Sequence, residues 1–160
     1  MFEGKGGWCA SLIMAALVSG CMASSHRVAP GQVGVEVEAP DVPCDAGHRD
    51  IAVKVHVRND SRGTLRFWIR HVAGAPDALS WLSYAVLDSA GNAAAQHGAG
   101  AHGPLPQPTL TMAPGNRTVL SATLYDIGEA EYARRFRLRV EDQDEHSWTT
   151  AAFRPCVQPE

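Results

Sequence analysis

Two arginine-rich stretches carry the side chains with the most chemistry in this chain. In each stretch the arginines recur at every second position and alternate with apolar residues, a spacing that places them on the outward face of a strand. Guanidinium groups bind carboxylates and phosphates through paired hydrogen bonds. If the two strands belong to one sheet, they form a single basic interaction surface made of Arg66, Trp68, Arg70, Arg135, Arg137 and Arg139.

The partner of such a surface would be an acidic envelope protein or the phosphate of a lipid headgroup. The alternative is a solvated sheet face, whose charge is balanced by Glu36, Glu38, Asp88 or Glu141. The formal net charge of −3 argues against a nucleic-acid partner, because nucleic-acid binding takes a strong basic excess.

Four residues could in principle bind copper or zinc, because imidazole and thioether groups suit these ions. They are His71, His97, His102 and Met112. Two of the histidines flank a glycine-rich stretch, which does not hold ligands in a fixed geometry. We therefore expect scattered, solvated histidines and no metal site, with a metal-handling protein as an alternative.

Three carboxylates, those of Asp142, Asp144 and Glu145, fall close together and fit a charged turn better than a calcium loop. The sequence contains neither of the serine-nucleophile motifs Gly-x-Ser-x-Gly and Ser-x-x-Lys, and no glycine loop leads from a strand into a helix. We therefore predict a protein that is not an enzyme and that carries no cofactor.

A period of two dominates the chain after residue 32. Alternation is clearest in residues 51–58, 65–70 and 135–140, and turn residues recur between such segments. The first two of these segments, joined by the turn 59–63, are predicted to form a β-hairpin. The glycine- and alanine-rich segment 96–108 is predicted to be a loop. The pattern predicts an all-β fold, a single antiparallel β-sandwich of seven or eight strands.

The first 21 residues have the organisation of an export signal. A short start carrying Lys5 precedes an apolar run from Trp8 to Val18, which is shorter than the roughly 20 residues that a membrane span takes. The stretch Val18-Ser19-Gly20-Cys21 resembles a bacterial lipobox. This resemblance implies cleavage before Cys21, a diacylglyceryl group on its sulfur and an acylated amino terminus.

The lipobox divides the chain into three parts: a signal peptide (1–20), a tether (21–32) and a β-sandwich domain (33–157). Cys44 and Cys156 remain in the exported domain, where an oxidising compartment favours disulfides. The two cysteines are too far apart in sequence for a Cys-x-x-Cys redox motif, so we predict that they form one structural disulfide.

Two further resemblances concern the sandwich. The stretch Glu129-Ala130-Glu131-Tyr132, ahead of an alternating strand, looks like the tyrosine corner of immunoglobulin-like domains. A second set of residues resembles the layout of the intracellular proteinase inhibitor-like domains of bacteria, which are also β-sandwiches: Asn59-Asp60-Ser61, Leu65, Phe67, Tyr84, Val86, Asp88, Gly91 and Pro114-Gly115.

The sequence as a whole predicts a membrane-anchored envelope lipoprotein that acts as a non-enzymatic interaction or structural module. Met22 follows the lipidation candidate Cys21, and the lipoprotein resemblance implies that, in a Gram-negative envelope, a residue other than Asp there favours the outer membrane, facing the periplasm. The inhibitor-like layout leaves open a protease-inhibitor-like or small-ligand-binding lipoprotein.

Overall fold

Two β-sheets make up the computed structural model, which describes residues 30–38, 43–44, 49–99 and 107–157. The signal peptide and the lipidation candidate Cys21 lie outside these residues. The strands are β1 (Val33–Glu38), β2 (Ile51–Asn59), β3 (Leu65–Arg70), β4 (Ala78–Leu79), β5 (Leu82–Leu87), β6 (Ala93–Ala99), β7 (Thr109–Met112), β8 (Arg117–Leu124), β9 (Arg135–Glu141) and β10 (Ser147–Thr149).

Apolar residues at every second strand position form one core between the sheets. In β2, burial alternates without a break along the nine residues from Ile51 to Asn59, and β9 alternates in the same way. Phe67 of β3 and Phe136 of β9 are fully buried, and the Phe67 ring meets Trp148 of β10 edge-on with 6.2 Å between centroids. This alternation confirms the β-sandwich, because each buried face needs the other to exclude water.

The larger sheet is mixed, which corrects the expectation of a purely antiparallel fold of seven or eight strands. Its order is β1-β2-β8-β4-β3-β7, and the smaller sheet has the order β10-β9-β5-β6. The short strand β4 runs parallel to β8, paired at Ala78 and Ser121. A strand of two residues has no visible period, so alternation could not reveal it.

The predicted hairpin of β2 and β3 is wrong. β2 pairs with β1 and β8, whereas β3 pairs with β4 and β7. The buried side chain of Asn59 holds the link between them: its Nδ2 donates to the carbonyls of Gly63 and Met112, at 2.9 and 3.1 Å. These bonds tie the link to the end of β7, so it does not turn back on β2.

The predicted loop 96–108 begins later than expected. β6 continues to Ala99, paired with β5 along its length, and residues 100–106 lie outside the described part of the chain. No helix of the described residues is long and apolar enough to cross a membrane. The described chain contains two single turns of 3-10 helix, Pro30–Gln32 and Glu129–Glu131.

The disulfide between Cys44 and Cys156 is present, as predicted. The same junction is held by a backbone hydrogen bond from Cys44 N–H to the carbonyl of Val157, at 2.8 Å. Two parts of the chain separated by 112 positions are thereby joined, and the bond fixes the segment that comes after β10.

Candidate arginine groove on the smaller sheet

Strand β9 positions three of the predicted arginines. Phe136, Leu138 and Val140 point into the core with no exposed surface, so the residues between them point outward. Arg135 and Arg137 are exposed and lie opposite Leu87 and Ala85 of β5. The buried apolar side chains therefore fix the position of the backbone from which the two arginine side chains extend.

An extended segment after β10 adds an arginine that the sequence did not predict. Phe136 and Phe153 form an antiparallel bridge, with N–H to carbonyl distances of 2.8 and 2.9 Å in the two directions. In an antiparallel bridge the flanking residues also face each other, so Arg154 is placed opposite Arg135. Both are exposed, which puts two like charges side by side on the outer face.

These arginines surround a concavity of about 600 Å³, called here the arginine groove. One end is formed by the turn between β5 and β6, in which Gly91 has a positive φ of 86° that glycine adopts without strain. Small residues leave the space between the longer arginine side chains. The lining comprises Leu87, Asp88, Ser89, Ala90, Gly91, Ala133, Arg134, Arg135, Arg137, Ala152 and Arg154.

The arginines of the arginine groove are not ion-paired within the described structure. None of Arg134, Arg135, Arg137 and Arg154 forms an ion pair with a described carboxylate. The one acidic residue in the lining, Asp88, is committed to its turn, where Oδ1 accepts from the N–H groups of Asn92 and Ala90 at 2.8 and 2.9 Å. The backbone hydrogen bond from Asn92, together with that from Ala90, holds the pKa of Asp88 below its ordinary value.

The predicted single basic surface does not form. Arg66, Trp68 and Arg70 lie on β3 of the larger sheet, whereas Arg135, Arg137 and Arg139 lie on β9 of the smaller sheet. Two of the six are also already neutralised within the protein. Arg66 Nη2 lies 2.6 Å from Asp144 Oδ1, and Arg139 Nη2 lies 2.9 Å from Glu141 Oε1.

The outer face of the larger sheet carries a smaller concavity, of about 300 Å³. It lies over β1, β2 and β8, where Gly34 leaves room for the Arg58 side chain, and Arg117 lies opposite Arg58. Asp60 pairs with Arg58 through an Nε–Oδ2 contact of 2.5 Å, so only one of these two arginines lacks a described carboxylate.

The histidines considered for metal binding are not brought together. His71 Nδ1 lies 2.9 Å from Asp77 Oδ1 at the end of β3. His97, on β6 of the other sheet, stacks on Tyr84 with 4.8 Å between ring centroids, and its Nε2 is 3.9 Å from Glu131 Oε1. His102 lies outside the described residues. Burial raises the pKa of Tyr84 to about 12, so its hydroxyl stays protonated near neutral pH and donates to a backbone carbonyl.

The carboxylates of the turn between β9 and β10 serve the turn itself. Asp142 is buried, and its Oδ1 accepts from the N–H groups of Asp144 and His146 at 3.0 and 2.9 Å. Asp144 pairs with Arg66 across to the larger sheet. Side-chain atoms of Asp142, Asp144 and His146 lie within 4.8 Å of one another, but these bonds account for their placement without an ion.

Sequence reasoning missed Arg134 and Arg154 as members of the basic surface. Arg134 directly precedes the alternating strand, so the run of arginines from 134 to 139 was a usable signal. Arg154 lies outside the segments in which alternation is clearest, so the sequence pattern gave no signal for it. In the structure β10 ends at Thr149. Thr150 still bonds Leu138 of β9, and the chain pairs with β9 once more at Phe153.

The two packed sheets define the class of this protein as an all-β sandwich. Neither a protein-family model nor a curated protein matches the chain. Among solved structures it is similar to the sporulation control protein Spo0M of Bacillus subtilis, with 14% identity, a TM-score of 0.41, and coverage of 81% of this chain and 51% of Spo0M. The chain thus spans about half the length of Spo0M.

It is also similar to a protein described as ApaA from Bordetella pertussis. Here the identity is 13%, the TM-score is 0.36, and the similarity covers 76% of this chain and 89% of the other.

Proposed function

We propose that this protein is a lipid-anchored envelope module that binds an anionic partner through the arginine groove and performs no catalysis itself. The observation that carries the proposal is the set of four exposed arginines around one concavity with no described carboxylate bound to them. Unpaired charges of one sign attract a ligand of the other sign and speed its association.

The residue types that line the arginine groove indicate a binding site and not a surface that only keeps the protein soluble. All its cations are arginines, whose planar guanidinium groups bind carboxylates and phosphates through two parallel hydrogen bonds. A sheet face that is only solvated does not need several arginines around one concavity. The outer face of the larger sheet is an example, because Lys54 and His56 there share Glu38 at 2.8 and 2.9 Å.

The anchor part of the proposal rests on the lipobox-like stretch that ends at Cys21. Acylation there would hold the domain at a membrane surface by more than one acyl chain, which gives stable attachment. Residues 22–32 are mostly small and polar and would act as a tether. We place the domain on the periplasmic side of the outer membrane, where the groove would meet its partner.

Chemical cross-linking in cells that carry the full chain tests the proposal. A groove variant changes Arg134, Arg135, Arg137 and Arg154 to Ser. A matched control removes the same charge elsewhere by changing Arg66, Arg70, Arg117 and Arg139 to Ser. We expect a discrete captured partner whose yield falls at least about tenfold in the groove variant only, because each charge-assisted hydrogen bond contributes roughly 1.5–3 kcal/mol.

A partner retained by the groove variant, or lost equally in both variants, would refute the binding role of the groove. The anchor is tested in the same cells with a labelled fatty acid and the Cys21→Ser substitution. Label that remains on the substituted protein would refute lipidation at Cys21.

A further inference from the structure

The arrangement of charges within the arginine groove indicates which kind of anion it binds, an inference that rests on the proposed function. Arg154 and Arg135 face each other across the Phe136–Phe153 bridge. Like charges directly opposite each other on neighbouring strands destabilise a sheet. The chain therefore maintains a repulsive pair at this position, and an anion between the two guanidinium groups would relieve the repulsion.

The neighbouring residues extend this pair into a cradle. Arg137 is next to Arg135 on the same outward face and lies beside Ala85 and, by the register of the bridge, Ala152. Neither alanine has a side chain long enough to fill the space between the arginines. Arg134 precedes the strand and lines the same space, and Ser89 at the opposite turn adds a hydroxyl donor.

We propose that the arginine groove binds a phosphate monoester group. Such a group carries a charge of about −1.5 to −2 at neutral pH and three acceptor oxygens that point in different directions. It can accept hydrogen bonds from several guanidinium groups at once. A single carboxylate has one charge and two oxygens in one plane, and one arginine is enough to satisfy it, as Arg139 does for Glu141 at 2.9 Å.

The size of the groove suits a ligand of headgroup dimensions. Small-molecule sites typically enclose roughly 300–1,000 Å³, and the groove offers about 600 Å³. A phosphate monoester reaches such a site either as a free phosphorylated molecule or as the exposed headgroup of a lipid. The two sources share one chemistry at the arginines and differ only in the group attached to the ester oxygen.

Binding is measured on the purified full-length protein, with glycerol 3-phosphate as the free probe. Succinate serves as the control because it carries a similar total charge on two carboxylates. Phosphatidylcholine vesicles with and without phosphatidic acid, mixed with the Cys21→Ser protein, provide the lipid probe. The arginine Nε–H signals in nuclear magnetic resonance spectra report which side chains are contacted.

We expect at least one of two differences. Glycerol 3-phosphate should bind at least about tenfold more tightly than succinate, or vesicles with phosphatidic acid should bind at least about tenfold more tightly than plain vesicles. Arg137→Gln and Arg135→Gln, tested separately, should each weaken binding by a similar factor. Arg139→Gln, on the same face of the same strand but outside the groove, should not. Binding of the free probe identifies a soluble ligand, and binding of the vesicles alone identifies a lipid headgroup.

Three results would overturn the inference. If neither phosphate probe binds, or if Arg139→Gln weakens binding as much as Arg137→Gln, the groove is not a phosphate site. If succinate binds as tightly as glycerol 3-phosphate, the groove selects charge and not phosphate. In each case the cross-linking experiment decides separately whether a macromolecular anion is bound, so the proposed function can stand when this inference fails.

Discussion

The outer faces of the two sheets handle positive charge in different ways. On the larger sheet, the basic residues of β2 have acidic neighbours: Lys54 and His56 contact Glu38, and Arg58 contacts Asp60. On the smaller sheet, four arginines gather around one concavity without a described carboxylate.

The difference is one of grouping, not of the number of arginines. Arg70 and Arg117 of the larger sheet also lack a described carboxylate, but Arg70 lies on β3, and Arg117 lies on β8 opposite Arg58, which is already paired with Asp60. In the arginine groove, Arg154 and Arg135 are cross-strand neighbours, and Arg137 is two residues from Arg135. Isolated or paired exposed charges cost a sandwich little, whereas convergent charges without a carboxylate partner repel, so unpaired convergence is the more informative feature.

The largest effect on this comparison should come from removing the disulfide. Cys156 holds in place the segment that carries Arg154, two residues earlier. Changing Cys44 and Cys156 to Ser should lower the free energy of unfolding by about 2–5 kcal/mol, as loss of a native disulfide from a small domain does. Chemical denaturation measures this loss. The double substitution should also weaken anion binding at the arginine groove, while the contact between Lys54 and Glu38 on the larger sheet stays intact.

A serine variant that unfolds at the same denaturant concentration as the wild-type protein would contradict this prediction. Wild-type protein treated with a reducing agent is the matched control, because it loses the same bond without a change of residue. The two samples should unfold alike.

A smaller effect, with the opposite sign, should result from removing one arginine of the repulsive pair. Arg154→Gln should raise the free energy of unfolding by about 0.2–1 kcal/mol at low salt, because it removes a like charge opposite Arg135. The gain should shrink as salt is added, since the screening length falls from about 10 Å at 0.1 M to about 3 Å at 1 M. Thermal unfolding at two salt concentrations measures both the gain in stability and its decrease with salt.

Arg139→Gln is the control for this experiment. It removes an arginine from the same sheet, but one that is paired with Glu141, so it should leave stability unchanged or slightly lower. If Arg154→Gln also lowers stability at low salt, the two arginines do not repel each other and the contrast between the faces loses its physical basis.

Local patterns in the sequence predicted the parts of this structure that depend on neighbouring residues. Alternation identified β2, β3 and β9, and it gave the outward direction of Arg135 and Arg137 correctly. Which strands pair could not be read in this way. The period of β2 and β3 is the same whether they form a hairpin or, as here, are separated by β8 and β4.

The groove escaped prediction for a related reason. Its lining comes from segments near residues 87–91, 133–137 and 152–154, and only the tertiary fold brings them together. Arg154 in particular lies beyond a change in side-chain direction after β10: Trp148 and Thr150 are buried, but Ala152 is exposed. A strand extrapolated at a period of two would have placed Arg154 on the buried side.

The smallest expected effect concerns the outer face of the larger sheet, where Glu38 contacts two basic residues. Hydrogen bonds from Lys54 and His56 hold the pKa of Glu38 below its ordinary value of 4.5. A carboxylate with a lowered pKa in the folded state stabilises the protein above its unfolded-state pKa, and this contribution is lost as the pH falls through the folded-state pKa. Glu38→Gln should therefore lower the unfolding temperature slightly at pH 7. The difference from wild type should shrink as the pH falls below 4.5 and vanish once Glu38 is protonated in the folded protein.

Glu36→Gln separates this effect from a general loss of negative charge. Glu36 is exposed on the same strand and forms no ion pair with a described residue, so its substitution should change the unfolding temperature less at pH 7. Equal effects of the two substitutions would mean that the contacts to Glu38 contribute nothing beyond charge balance. The outer face of the larger sheet would then differ from the arginine groove in net charge alone, and not in having its cations individually paired.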